Sequence, residues 1–122
     1  MSAGSSDEML RAARNQSLYR EVNERIEELN KHFDAALEAE AAWVCECADP
    51  ECGEPMQMTL GEYEELRSHP DRFAVLPGHV LEGVERVVDT HDDYVVVEKV
   101  GPAAHVTAEL DPRKGDHATE AA

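Results

Sequence analysis

Aromatic side chains are scarce in this chain of 122 residues: one Trp, three Tyr and two Phe, 5% in all. A core with so few large side chains buries limited surface, and a small compact domain of this kind calls for an added staple such as a bound metal. Basic residues are also few, 11 against 27 acidic, for a net charge of −16. The acids are spread along the chain and no basic stripe is present to neutralise phosphates, which argues against direct binding of nucleic acid or of an anionic membrane. Such a charge reads most simply as a solubilising surface, with basic protein surfaces as the more natural partners. Apolar runs are short; none approaches the roughly 18 residues that span a bilayer. The opening MSAGSSDEML lacks the basic start and the apolar stretch of about 7 to 15 residues of a secretory signal. A cytoplasmic location is therefore expected. No GxSxG, phosphate-binding loop, GxGxxG or HExxH occurs, so none of the common enzyme signatures is present.

What the sequence does hold begins with a run rich in Ala, Glu, Arg and Leu, uninterrupted by Pro or Gly from residue 7 to residue 42. Ser5-Ser6-Asp7-Glu8 fits a capping box at its start. The run predicts one long helix of about 54 Å. Ala12, Tyr19, Ile26 and Phe33 recur every seven residues, with Asn15, Val22, Leu29 and Ala36 as companions, and Leu18 and Leu37 at the edges. This coiled-coil-like stripe predicts a homodimer or a docked protein partner, with Tyr19, Val22, Ile26, Leu29 and Phe33 carrying the contact.

A small domain over residues 43–110 is expected to follow. Thr59-Leu60-Gly61-Glu62 is a second capping box, opening a short helix to about Ser68 whose inner face is Leu60, Tyr63 and Leu66. RFAVLPGH reads as a buried strand stopped by Pro77-Gly78, and VERVVDTHDDYVVVEKV as a β-hairpin turning at His91-Asp92-Asp93. A further strand is expected near Ala104 to Leu110. Residues 1–6 and 111–122 are too small and polar to pack and are expected to be disordered. The fold class is thus α+β: a long helix followed by a small, zinc-stapled domain with a short helix and a hairpin.

All three cysteines fall in WVCECADPECGEP: Cys45, Cys47 and Cys52, in the pattern CxC-x4-C. Alternate residues of an extended segment point the same way, so Cys45 and Cys47 can offer two sulfurs to one ion. Asp49-Pro50-Glu51 then turns the chain to return Cys52. In a reducing compartment three clustered thiols point to metal rather than to disulfides, and zinc suits thiolates. A tetrahedral site needs a fourth ligand. His32, His69, His79, His91, His105, His117 and the carboxylates are candidates. His79 is favoured because it follows a buried strand and a Pro-Gly turn, ahead of His69 or a cysteine bridging from a second subunit. Two other chemistries fit the same residues: a zinc-thiolate redox switch, and a metalloenzyme whose zinc keeps an open position. The first is disfavoured by the missing CxxC and by Glu46, Asp49, Glu51 and Glu54, which would raise thiol pKa values.

The spacing in CECADPEC resembles the post-SET zinc motif of histone lysine methyltransferases, which implies one zinc on Cys45, Cys47 and Cys52; the resemblance covers eight residues and carries no methyltransferase activity with it. More broadly, RNQSLYREVNERIEEL, CEC, EYEELR, LPGH and YVVVEK resemble blocks shared in this order by a group of small acidic bacterial proteins. That resemblance spans roughly residues 12–100 and implies that helix, cluster and Pro-Gly-His turn form one unit. Together these readings describe a structural-zinc protein that acts as an interaction or regulatory module through its first helix.

Overall fold

The helix-favouring run that opens the chain forms α1 (Ser6–His32), 27 residues without an interior Gly or Pro to break its hydrogen-bond ladder. The computed structural model describes residues 6–32 and 36–113; Ser5 of the expected capping box, Phe33 of the apolar stripe and the tail from residue 114 on lie outside them.

The helix does not continue to residue 42. Ala39 N–H closes a turn on the Ala36 carbonyl at 3.0 Å, and Glu40–Val44 is a strand, β1. Alanine and glutamate favour helix here, but packing overrides that weak preference. As a strand, this segment pairs antiparallel with β2 (Pro55–Thr59) and buries Trp43 to 1% exposure. The indole N–H donates to the Met58 carbonyl at 2.8 Å, and the ring stacks on Tyr63 with centroids 4.3 Å apart. The cysteine segment is therefore the loop of a hairpin.

From Thr59 on, local signals match the structure more closely. Glu62 N–H donates to Thr59 Oγ1 at 3.0 Å and Thr59 N–H to Glu62 Oε1 at 2.8 Å, the reciprocal capping box that starts α2 (Leu60–Arg67). Its buried face comprises Leu60, Tyr63 and Leu66, joined by Arg67. β3 (Arg72–Val75), β4 (Glu85–Thr90) and β5 (Val95–Lys99) form an antiparallel sheet in the order β3-β5-β4, containing the expected hairpin.

Two expectations for the C-terminal part fail. The segment near Ala104 to Leu110 is part of a helix, α3 (Pro102–Glu109), because Pro102 in the first turn presets a helical φ and the alanines that follow sustain it. Residues 111–113 are ordered: Asp111 accepts from Arg67 Nη2 at 2.5 Å, and Arg113 donates to Glu24 at 2.7 Å, Glu27 at 2.5 Å and Glu64 at 3.1 Å. Polar residues pack here because each charge has an opposite charge to meet.

α1 lies against the rest of the chain rather than projecting from it, and the face it buries is mainly polar. Ala13, Gln16, Arg20, Asn23 and Glu27 are all below 5% exposure, at the 3,4 spacing of one helix face. Two of the expected contact residues turn to the chain's own domain. Tyr19 donates to the Asp49 carbonyl at 2.7 Å, and Ile26 packs on the core. Val22 and Leu29 stay exposed, at 48% and 59%. The apolar stripe therefore divides between the chain's own domain and the surface.

Candidate metal centre

Two loops bring the site together. In the β1-β2 loop, Cys45 N–H donates to the Glu54 carbonyl at 2.8 Å, continuing the hairpin past its last strand pair. Asp49 starts the return: its Oδ1 accepts Glu51 N–H at 2.9 Å and its carbonyl accepts Cys52 N–H at 3.2 Å. The second loop follows β3. There Leu76-Pro77-Gly78-His79 closes a turn, with His79 N–H on the Leu76 carbonyl at 3.0 Å. Gly78 has φ +87° at the third position, the left-handed conformation that a turn with Pro at the second position and Gly at the third requires.

This turn delivers the imidazole to the cysteines. His79 Nδ1 is 3.6 Å from both Cys45 Sγ and Cys52 Sγ, and one ligand atom from each of Cys45, Cys47, Cys52 and His79 lies within 4.8 Å of all the others. Tetrahedral zinc with Zn–S of about 2.3 Å and Zn–N of about 2.0 Å sets an N···S edge of about 3.5 Å, so the spacing fits. This Cys3His group can hold a metal ion. It is the only such group of His, Cys, Asp or Glu among the described residues. The other described histidines are elsewhere. His32 closes α1, His105 is exposed on α3, His69 sits in a groove beside α2, and His91 pairs with Asp89 at 3.0 Å.

The chain also supplies the setting of the ligands. Leu76 N–H donates to Cys45 Sγ at 3.2 Å, a bond that favours thiolate. Burial pushes the Cys45 thiol well above its usual value, more than that amide lowers it, and the adjacent Cys47 and Cys52 sulfurs push it further. Cys47 is raised as well, again first by burial. The cause differs from the one read in the sequence, since neighbouring carboxylates are not what raises these thiols. Glu46, between the two cysteines, points the opposite way, as strand-like alternation requires. A bound dication reverses the balance, because coordination deprotonates a thiol outright.

Glu46 is the link to α1. Its carboxylate, fully buried, accepts from Arg20 Nη2 at 2.7 Å and Nε at 3.2 Å, Asn23 Nδ2 at 2.9 Å and Ala74 N–H at 3.1 Å. The Arg20 guanidinium also lies 4.0 Å over the Phe73 ring. Asn23 grips the Val44 peptide at both ends, donating at 2.9 Å and accepting at 2.8 Å. Asn15 Nδ2 donates to the Ala48 carbonyl at 3.0 Å, Gln16 Nε2 to the Glu46 carbonyl at 3.2 Å, and Gly53 N–H to the Tyr19 hydroxyl at 3.3 Å. Five polar side chains of one helix thus hold the cysteine loop from end to end. Sequence reading by apolar periodicity placed Asn15 and Tyr19 in its stripe and missed Gln16, Arg20 and Asn23, although their 3,4 spacing was a signal in plain sight.

No protein-family model matches the chain, and no curated protein or solved structure matches it either. No helix among the described residues is long and apolar enough to cross a membrane.

Proposed function

We propose that Cys45, Cys47, Cys52 and His79 hold a structural zinc ion, and that the protein so stapled serves as an interaction or regulatory module through α1. The observation that carries the metal reading is the convergence of four ligand atoms, from two separate loops, within 4.8 Å. Three sulfurs and one imidazole nitrogen are a donor set that suits zinc, and four protein ligands leave no open position for chemistry. That weighs against a metalloenzyme. Burial of Cys45 and Cys47, at 0% and 2% exposure, weighs against a redox-reactive site, which needs a sulfur open to the oxidant. Closure of the metal would tie the hairpin loop to the turn after β3, supplying cohesion that a core poor in aromatics lacks.

Elemental analysis of the purified protein tests the reading directly, with one zinc per chain expected. The cobalt-substituted form should show four-coordinate absorption with sulfur charge-transfer bands, and His79→Ala should weaken zinc retention. Metal-free protein that unfolds cooperatively, with a stability unchanged by added zinc, would defeat it.

A further inference from the structure

The chain has few cations and uses most of them internally. Among the described residues Arg20, Lys31, Arg67, Arg72, Lys99, Arg86 and Arg113 all pair with carboxylates. Arg11, Arg14 and Arg25 do not, and all three are exposed. They are not scattered. At about 100° per residue they fall on the same side of α1 as Leu18, Val22 and Leu29, which are 60%, 48% and 59% exposed. A surface with net charge −16 thus carries one apolar stripe interleaved with its unpaired arginines, opposite the helix face that grips the cysteine loop.

We infer that this stripe is a docking site for an acidic amphipathic helix of a partner protein. The inference rests on the reading of the chain as an interaction module, and rotates the contact face away from Tyr19 and Ile26, which the chain's own domain uses. Apolar residues at this spacing fit the apolar side of another helix, and flanking arginines fit carboxylates on its borders. A second copy fits less well. In a parallel pair each arginine meets its own counterpart, and an antiparallel pair with Leu18 opposite Leu29 sets Arg25 beside the exposed Glu21 of the other copy but leaves Arg11 and Arg14 past the end of its α1 at His32. The undescribed tail, residues 114–122, has no aliphatic residue larger than alanine to fill the stripe. Nucleic acid would use the arginines but not the leucines, against the repulsion of the whole chain.

The test is fluorescence anisotropy of the zinc-loaded protein with a synthetic helical peptide of about three heptads, leucine at the core positions and glutamate at the flanks. A second peptide carries lysine in place of glutamate, and a single-stranded oligonucleotide is the third probe. The glutamate peptide should bind, weaken as salt rises from about 0.05 to about 0.5 M, and bind about tenfold more weakly to Arg11→Glu/Arg14→Glu/Arg25→Glu, given a few-fold from each exposed pair. Leu18→Asp should abolish binding; zinc content and circular dichroism should be unchanged in both variants. Equal binding of the lysine peptide, or tighter binding of the oligonucleotide, overturns the inference. A wild-type dimer in sedimentation that Leu18→Asp dissociates also overturns it but leaves the module reading standing. A monomer that binds none of the probes removes both.

Discussion

Replacing Glu46 with alanine should be far more damaging than replacing any other acid of the cysteine loop. The carboxylate is fully buried, Arg20 is 1% exposed, and the closest contact between them is 2.7 Å. Removing one partner of such a pair leaves an uncompensated charge in the interior, at a cost of about 3–5 kcal/mol. Asn23 and the Ala74 amide lose an acceptor as well. Total stability for a domain of this size is of the order of 5–15 kcal/mol, so about a fifth or more of it is at stake. With a urea m-value of about 1.5 kcal/mol/M, the midpoint should fall by about 2–3 M. Because the loop is held on α1 through this residue, zinc affinity should fall with stability. Glu51→Ala, at an exposed position of the same loop, is the control and should stay within about 0.5 kcal/mol of wild type. The double variant Arg20→Met/Glu46→Leu should recover much of the loss, since an apolar pair of similar volume avoids the desolvation penalty. Urea unfolding in excess zinc, followed by circular dichroism, gives all four values. A Glu46→Ala protein within about 1 kcal/mol of wild type at unchanged m would refute the claim that this ion pair docks the helix.

Other consequences are more local. Partial burial raises the Glu24 carboxyl, but hydrogen bonds from Arg113 and Tyr63 and the charge of Arg67 outweigh it and hold the pKa at about 2. A depressed folded-state pKa means the unfolded chain binds more protons, so Glu24's contribution is complete above about pH 4.5 and is lost as pH falls toward 2. The stability difference between wild type and Glu24→Gln, measured at each pH so that acid release of metal cancels, should shrink over that window; a constant difference would refute this. Gly78→Ala forces a side chain into φ +87°, which costs about 1–2 kcal/mol and should weaken zinc binding about fivefold to thirtyfold in a chelator competition, through the displaced turn that carries His79. Unchanged affinity would mean that the turn does not position the imidazole. Stripping the metal with a strong chelator should lower the unfolding temperature and increase amide exchange first in the loop from Cys45 to Gly53 and around His79, and uniform exchange across the chain would argue against local stapling.

How far the sequence could be read depended on where the deciding forces act. Local signals were legible: the Thr59-Glu62 capping box, the turn that ends in His79, the valine-rich hairpin and the CxC spacing all depend on residues a few positions apart. The strand at Glu40–Val44 was not, since five residues rich in alanine and glutamate carry a helical preference worth only tenths of a kcal/mol per residue, less than the burial of one Trp. The C-terminal helix was missed because Ala104 to Leu110 favours neither form strongly, and Pro102 decided it. The stripe on α1 was read correctly as a periodic pattern and misread as a single surface.

By itself the sequence determined the chemistry of the candidate centre, since three thiols and an imidazole are a donor set wherever they meet, and it determined the local turns that present them. Only the tertiary structure decided which histidine comes within reach, which side of α1 turns inward, and that the inward side is polar. The choices about α1 depend on pairing Glu46 with Arg20 across 26 positions of chain, and a buried charge declares its partner only when the chain has folded around both.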